Sequence, residues 1–351
     1  MITRSARWLQ LAVVALGLML TMACSGGDPG SGRLAKLSET GPFTFAAAGD
    51  HGANSTTDLG LEALNRSAAE FYLALGDFSY GQTESEEAWC DYIKEGLSAK
   101  GAGFPFELVA GNHEQDGSPE GRLTAFTECL PDRLGSTLGP GSVYGAEYTF
   151  TYPTRAPLAK FIMISPELTL DSDRYSYEPG SPHRRWLVRQ INRARDAGIR
   201  WVIVAAHHPC LNTGIRHGCD SGPEILNLLL KKRVDLVLTG HNHLYQRTKQ
   251  LRRNRSDCRR VLPDAYDADC VVDAGSDGSY TKGRGTVLLT AGSFGRLEPS
   301  EDTEDAESGY FVKSSATTTG FAEFTVTRRS ITGQFVRTGG TLDDTFEIIG
   351  P

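Results

Sequence analysis

Residues 71–80 read Phe71-Tyr-Leu-Ala-Leu-Gly-Asp77-Phe-Ser-Tyr80, an apolar run that ends in a glycine and a group of polar side chains. Similar apolar runs lead into polar groups elsewhere along the chain. The runs are Thr44–Ala48, Phe71–Leu75, Glu107–Ala110, Trp201–Ala206 and Asp235–Thr239. Short apolar runs of this kind are typical of buried strands in a sheet that is covered on both faces.

Helical patterns lie between these predicted strands. Three segments carry apolar residues at the spacing of one helix face. They are Thr57–Glu70, Arg184–Ala197 and Pro223–Lys232. Strands that alternate with helices predict an α/β fold. Ligands in such folds bind at the carboxyl ends of strands, and each polar group follows a strand here.

The C-terminal part of the chain has a different pattern. Three segments contain clustered or alternating β-forming residues, and glycine and charged turns separate these segments. They are Thr286–Thr290, Gly320–Val326 and Ser330–Val336. We expect antiparallel strands here that complete a second sheet. Nothing indicates an internal repeat or a second folded domain.

The N-terminus predicts export. Arg4 and Arg7 precede an apolar run from Trp8 to Leu20, and small residues follow before Cys24. Residues 20–24 resemble a bacterial lipoprotein signal, although Thr21 stands where that pattern prefers leucine. Lipidation at Cys24 and plain secretion both fit. The predicted organisation is an export signal over 1–23, a flexible linker over 24–40 and one folded domain over 41–351.

Composition excludes some classes of partner. The chain of 351 residues has a formal net charge of -7 and scattered basic residues, so neither a nucleic-acid stripe nor a membrane-binding patch is indicated. The arginine-rich segment 252–260 is either a solvated loop or a polyanion patch.

Six cysteines remain after Cys24, and an even number in an exported chain indicates disulfides rather than thiolate metal ligands. The sequence leaves their pairing open. Closure between neighbours along the chain is the pattern we expect: Cys90 with Cys129, Cys210 with Cys219, and Cys258 with Cys270.

The polar groups after the strands are the candidate site. They read Gly-Asp50-His-Gly, Gly-Asp77-Phe-Ser-Tyr80, Gly-Asn112-His113-Glu114, His207-His208-Pro and Gly-His241-Asn-His243. A single Gly-Asp after a strand is usually a turn. Five such groups in this order indicate a metal site, because carboxylate, imidazole and amide oxygen are ligands for divalent Fe, Mn and Zn.

This order and spacing resembles the calcineurin-like metallophosphoesterases over nearly the whole chain after the signal. The resemblance implies a four-layer α/β/β/α sandwich of two mixed sheets flanked by helices. It also implies a phosphoric ester hydrolase with two metal ions, about 3.5–4 Å apart. Asp77 would bridge both ions, Asp50 and His243 would bind the first, and Asn112, His207 and His241 would bind the second.

Two positions indicate a subfamily. Gly52 stands where most of these enzymes have a ligand histidine, and Tyr80 follows Asp77 by three residues. This combination is similar to compact purple acid phosphatases without the extra N-terminal β-domain, in which a tyrosinate binds Fe(III). The resemblance implies Fe(III) paired with Fe(II), Zn(II) or Mn(II). The alternative is that Tyr80 is an ordinary core or surface tyrosine.

Three histidines are candidate catalytic residues. By resemblance His113 points at the substrate, where it binds the phosphoryl group or protonates the leaving alcohol; otherwise it orients Glu114 or a ligand. His217 is either substrate-facing or exposed to solvent, and His208 is a weaker candidate. His51 occupies a position that favours a packing role.

The expected function is acid phosphatase activity on small phosphomonoesters, by attack of a metal-bound hydroxide on phosphorus. The alternatives are a phosphodiesterase or nucleotidase of the same superfamily, or a lipid-anchored binding protein with a degenerate site. No nucleic acid or protein partner is implied. The membrane would be reached only through the lipid anchor at Cys24.

Overall fold

The computed structural model describes residues 37–215, 218–254 and 256–350. The predictions for the export signal, Cys24, most of the linker and His217 lie outside these residues. Within the described ranges, no helix combines the length and the apolar character needed to cross a membrane.

Helices are interspersed among the strands in the first two thirds of the chain, and strands dominate the last third. The helices are α1 (Ser55–Arg66), α2 (Glu86–Gly96), α3 (Leu123–Cys129), α4 (Pro182–Asp196) and α5 (Pro223–Lys232). The strands are β1 (Phe43–Ala48), β2 (Phe71–Ala74), β3 (Phe106–Leu108), β4 (Thr137–Leu138), β5 (Tyr148–Tyr152), β6 (Ala159–Met163), β7 (Thr169–Leu170), β8 (Asp173–Arg174), β9 (Trp201–Ala205), β10 (Leu236–Thr239), β11 (Tyr245–Thr248), β12 (Gln250–Leu251), β13 (Val271–Asp273), β14 (Ser279–Thr281), β15 (Val287–Ala291), β16 (Phe311–Ser315), β17 (Thr319–Val326), β18 (Ser330–Gly339) and β19 (Thr345–Ile349).

The helix starts follow from capping side chains. Asn54 accepts hydrogen bonds from the backbone of Thr56 and Thr57 at the start of α1. Ser181 caps α4 in the same way, and Pro182 occupies the first turn, where its missing N–H costs nothing. The first predicted helix extended to residue 70, but α1 ends at Arg66 because the backbone of Ser67 is extended.

Two large mixed sheets form the centre of the fold. The first has the strand order β14-β19-β18-β17-β1-β2-β3, and the second has the order β16-β11-β15-β10-β9-β6-β5-β4. Strands β1, β2 and β3 are parallel, as are β6, β9, β10 and β15. Parallel strands place their carboxyl ends at the same edge of a sheet, which is the edge that carries the polar groups.

The C-terminal strands differ from the prediction in their sheet. β17 and β18 are antiparallel as expected, but they extend the first sheet by pairing Phe45 of β1 with Phe324 of β17. The prediction that they complete the second sheet was therefore wrong. β15 does belong to the second sheet, where it lies antiparallel to β11, as expected, and parallel to β10. Alternation within one strand indicates which face is buried, whereas sheet membership depends on partners distant in sequence.

Aromatic side chains fill the space between the two sheets. Phe45 of β1 meets Phe161 of β6 edge to face, with ring centroids 5.1 Å apart, and Phe71 of β2 lies 5.5 Å from the same ring. On the outer faces, α1 packs on β17 and β18, and α4 packs on β6. This arrangement confirms the four-layer α/β/β/α sandwich.

Three disulfides join cysteines that are neighbours along the chain. The bonds are Cys90–Cys129, Cys210–Cys219 and Cys258–Cys270, with sequence separations of 39, 9 and 12. The expected pairing is confirmed. The Cys210–Cys219 bond closes a loop that begins three residues after His207.

A buried ion pair connects the two sheets near the site. Arg247 of β11 and Asp344 have side chains that are each 1% exposed, and Arg247 Nε donates to Asp344 Oδ2 over 2.6 Å. Arg247 Nη2 also donates to Asp344 Oδ1 over 2.7 Å, and Tyr245 donates its hydroxyl to the same carboxylate. β11 begins two residues after His243, so this pair anchors the strand that leaves the site.

Candidate metal centre

The predicted ligands lie where the carboxyl edges of the two sheets meet. Asp50 and Asp77 follow β1 and β2, and Asn112 lies in the short turn Asn112–Glu114 after β3. His207 follows β9, and His241 follows β10. Residues that are 191 positions apart in the chain are thus brought into contact, as in the hydrogen bond from the backbone N–H of His241 to the carboxylate of Asp50.

Glycine precedes several of these residues because the backbones approach one another closely. A Cβ at Gly76 would overlap the imidazole of His207, and a Cβ at Gly111 would overlap the carboxylate of Asp77. The Gly-Asp and Gly-Asn pairs are therefore a steric requirement of this edge.

Several of the predicted ligands have unusual backbone conformations. Four of them have positive φ angles, in the left-handed region that non-glycine residues rarely adopt. These angles are 64° at Asp50, 53° at Asp77, 53° at Tyr80 and 71° at His241. Such conformations cost energy and persist where the surrounding structure enforces them, which is common at functional sites.

Tyr80 is at the centre of one group of polar atoms. Its hydroxyl lies 2.8 Å from Asp50 Oδ1 and 2.9 Å from His243 Nε2. The same hydroxyl lies 3.2 Å from Asp77 Oδ2. Two carboxylates, a phenol and an imidazole therefore converge on one point.

The tautomers of two other histidines follow from their outer hydrogen bonds. His207 Nδ1 lies 2.6 Å from the carbonyl of Leu75, which only accepts, so Nδ1 donates. His241 Nε2 lies 2.7 Å from Asp220 Oδ2 and donates to that carboxylate. In their neutral forms, both rings then present a lone pair on the opposite nitrogen.

Those lone pairs meet in a second group of atoms. His207 Nε2 lies 3.1 Å from His241 Nδ1 and 3.2 Å from Asn112 Oδ1. It also lies 3.2 Å from Asp77 Oδ1. Asp77 thus contributes one oxygen to each group, and a cation between these atoms would satisfy acceptors that otherwise face one another.

The charge of the two groups also fits metal ions. Burial lowers the pKa of His207, but the carboxylates of Asp77 and Asp50 outweigh burial and raise it to about 9. Burial would raise the pKa of Asp77, yet His207, His113 and His241 hold it below its usual range. The site thus favours positive charge, which a proton or a metal ion supplies. Burial and both carboxylates raise the pKa of Tyr80 well above its ordinary value, so the phenol keeps its proton unless a metal ion replaces it.

Glu114 fixes the loops that carry these side chains. Its carboxylate accepts hydrogen bonds from the backbone N–H groups of Asp77, Phe78 and Gly111, over 2.9, 2.8 and 2.8 Å. Burial and the charge of Asp77 raise the pKa of Glu114 to about 8, while the backbone donors oppose this shift. Glu114 therefore acts as a buried support under the loops after β2 and β3.

His113 lies at the opening of the site. Its Nδ1 contacts the carboxylate of Glu120, and its Nε2 lies 3.5 Å from Asp77 Oδ2. A cavity of about 350 Å³ is lined by Asp77, Tyr80, Asn112, His113, His241, His243 and Arg296. His113 is therefore accessible to a molecule in this cavity.

The other candidate histidines are placed differently. His51 is fully buried and shares a hydrogen bond with the hydroxyl of Tyr72. Its ring centroid lies 4.8 Å from that of Phe294, which fits the expected packing role. His208 packs 4.4 Å from the ring of His241 and lines a separate, mostly apolar cavity beside α5. One of its ring nitrogens lies within 4.8 Å of a ring nitrogen of His207 and of His241. The catalytic role of His208 stays a prediction.

Sequence reasoning missed three residues of the site. Asp220 holds His241, Glu120 contacts His113, and Arg296 lines the cavity. All three lie in loops without periodic signals. The one usable signal was that Asp220 directly follows Cys219, which the expected disulfide brings back toward His207.

Comparison with known proteins agrees with this geometry. Residues 43–245 match the family model described as calcineurin-like phosphoesterase. The chain belongs to the calcineurin-like phosphoesterase family. The matched residues include all the ligand candidates and end at Tyr245, two positions after His243.

Purple acid phosphatases are among the relatives of this calcineurin-like phosphoesterase. Purple acid phosphatase 18 of Arabidopsis thaliana is 28% identical over 223 residues, which cover 62% of this chain and 47% of the relative. Fe(3+)-Zn(2+) purple acid phosphatase 12 of the same plant is 24% identical over 224 residues, covering 60% and 44%. The chain therefore spans about half the length of the curated relatives it matches.

A solved structure shows the same fold. The purple acid phosphatase from yellow lupin (Lupinus luteus) seeds superposes with a TM-score of 0.58 at 15% identity, covering 90% of this chain and 55% of the lupin chain. At this identity the likeness supports the fold alone, and it agrees with the two mixed sheets described above.

Proposed function

We propose that this calcineurin-like phosphoesterase is a dinuclear-metal phosphohydrolase of the purple acid phosphatase type, acting on phosphomonoesters. The observation that carries the proposal is the sharing of Asp77. Its Oδ2 lies in the group around Tyr80, and its Oδ1 lies in the group around His207. One carboxylate between two convergent ligand groups is the arrangement that a pair of metal ions requires.

Two sets of ligands, which share Asp77, would hold the two ions. One ion would be held by Asp50, Asp77, Tyr80 and His243, and the other by Asp77, Asn112, His207 and His241. When bound, the ions would lower the pKa of water and neutralise charge on the phosphoryl oxygens.

Iron is the metal we propose next to Tyr80, because a phenolate is a hard anionic donor that suits Fe(III). One relative is named an Fe(3+)-Zn(2+) purple acid phosphatase, which supports an iron–zinc pair. In purified protein we expect a visible charge-transfer band that is lost in Tyr80→Phe. Colourless protein with zinc or manganese at both positions would contradict iron while leaving hydrolysis possible.

His113 is the proposed proton donor. Ester hydrolysis breaks the bond between phosphorus and the ester oxygen, and the departing alkoxide needs a proton. Because Nδ1 is engaged by Glu120, the accessible Nε2 can deliver that proton from the protonated ring. His217 lies outside the described residues, and its proposed contact with substrate rests on the sequence alone.

The experiment is an assay of an aryl phosphomonoester and a bis-aryl phosphodiester at acid and neutral pH, before and after chelation. We expect chelator-sensitive hydrolysis of the monoester, and loss of activity in Asp77→Ala. Faster hydrolysis of the diester would indicate the phosphodiesterase alternative. Stable metal binding without hydrolysis of either ester would indicate a binding protein.

We also propose that the protein is exported and anchored through a lipid on Cys24. The proposal rests on the N-terminal sequence pattern. Cells grown with labelled palmitate should yield labelled wild-type protein and unlabelled Cys24→Ser. An unlabelled wild-type protein in the medium would indicate plain secretion instead.

A further inference from the structure

Arg296 is a cation at the site with no assigned role. It follows β15, is half-buried, and lines the same cavity as Asp77, Tyr80 and His113. Its guanidinium carbon lies 4.0 Å from the centroid of the Tyr80 ring, a cation–π contact. The side chain is therefore held against one of the proposed ligands.

The backbone on both sides of Arg296 is fixed to the site. The N–H of Gly295 donates to the carbonyl of Asp50 over 3.0 Å, and the N–H of Glu298 donates to the carbonyl of His243 over 2.7 Å. These bonds position Arg296 relative to the proposed ligands without a contribution from its own side chain. Such a support is what a binding residue needs for a defined geometry.

The guanidinium has no anionic partner in the part of the chain that the structure describes. Its Nε is buried without a hydrogen-bond acceptor among those residues, and no ion pair there includes Arg296. A half-buried, permanently charged group without a counter-ion is unfavourable unless an anion occupies the neighbouring space. The neighbouring space is the cavity.

We propose that Arg296 binds a terminal oxygen of the substrate's phosphoryl group and favours phosphomonoesters over diesters. This inference rests on the proposed phosphohydrolase function. Arg296 and His113 line the same cavity and both contact the Tyr80 ring, at 4.0 and 4.4 Å, so a phosphoryl group in that cavity has two donors within its walls. A monoester dianion has one more terminal oxygen and one more charge than a diester, and a planar guanidinium is suited to both.

The test compares Arg296→Met, Arg296→Lys and the control Arg66→Met, whose arginine is 65% exposed on α1. Binding of inorganic phosphate is measured by calorimetry on metal-loaded protein, and metal content is measured on the same samples. We expect Arg296→Met to weaken phosphate binding roughly 10- to 100-fold with full metal content. Arg296→Lys should retain part of the affinity, and the control should match wild type.

Kinetics separate this inference from the proposed function. In Arg296→Met, kcat/KM for an aryl monoester should fall by a similar factor, while kcat/KM for a diester should change little. Unaltered phosphate affinity in metal-loaded Arg296→Met would overturn the inference. Loss of metal from that variant would overturn it too, because the role of Arg296 would then be to support the proposed ligand Tyr80. If wild type hydrolyses neither ester, the proposed function fails, and the phosphate titration still decides the role of Arg296.

Discussion

Replacing Asp344 with asparagine should destabilise the whole protein, because the change leaves a buried cation without its partner. Asparagine keeps one oxygen, which can still accept from Arg247 Nη2. The amide NH₂ then replaces Oδ2, the oxygen that accepts from Arg247 Nε over 2.6 Å and from Tyr245 over 2.7 Å. Both donors lose their acceptor inside the protein.

The magnitude follows from these contacts. Two buried donors without acceptors cost about 1–3 kcal/mol each, which gives about 2–6 kcal/mol. Measured losses on breaking buried ion pairs, about 3–5 kcal/mol, fall within this range. We therefore expect Asp344→Asn to lower the free energy of unfolding by about 3–5 kcal/mol. The double variant Arg247→Met/Asp344→Leu should be clearly more stable than Asp344→Asn, since it leaves no buried charge.

The assay is urea unfolding with the disulfides intact, followed by tryptophan fluorescence and far-UV circular dichroism. Glu62→Gln provides the control, because its salt bridge with Arg66 is on the surface and should contribute less than about 1 kcal/mol. A loss below about 1 kcal/mol in Asp344→Asn would refute the reasoning. So would a double variant as unstable as the single one.

Two further predictions concern other buried contacts. Asp220→Asn should weaken metal binding about 10- to 100-fold, because an amide orients His241 less strongly than the carboxylate does. The affinity is measured by competition with a chromophoric chelator. An unchanged affinity for the metal would contradict the prediction. The hydrogen bond with Glu147 raises the pKa of His183 above its ordinary value of about 6.5, and burial opposes this shift. The protonated ring therefore stabilises the folded protein below about pH 6.5. This contribution to stability is lost as pH rises through the pKa that His183 has in the folded state. The stability difference between wild type and His183→Gln should therefore be larger at about pH 5.5 than at about pH 8.5, and a difference independent of pH would refute the assignment.

Much of the site could be predicted because its signals are local. Asp50, Asp77 and Asn112 each follow an apolar strand and a glycine, and the fold requires that glycine for steric reasons. Parallel strands then bring these positions to the same edge. The cysteine pairing was less determined, because the sequence left it open, and only the general preference for closing shorter loops favoured the pairs that the structure shows.

The parts that the sequence did not predict depend on contacts between distant segments. β17 carries the same alternation whichever sheet it joins, and only its pairing with β1 decides the matter. Arg296 is an ordinary loop arginine until the backbone bonds to Asp50 and His243 place it over Tyr80. Asp220 likewise gains a role only when the loop folds back onto His241.

The central claim is that Asp77 is shared by two metal ions, and metal stoichiometry tests it most directly. Elemental analysis of protein purified without added chelator should give two metal ions per chain for wild type. Asp77→Ala should hold clearly fewer than two, because each ligand group loses one oxygen. One metal or none in wild type, or two undiminished metals in Asp77→Ala, would contradict the account.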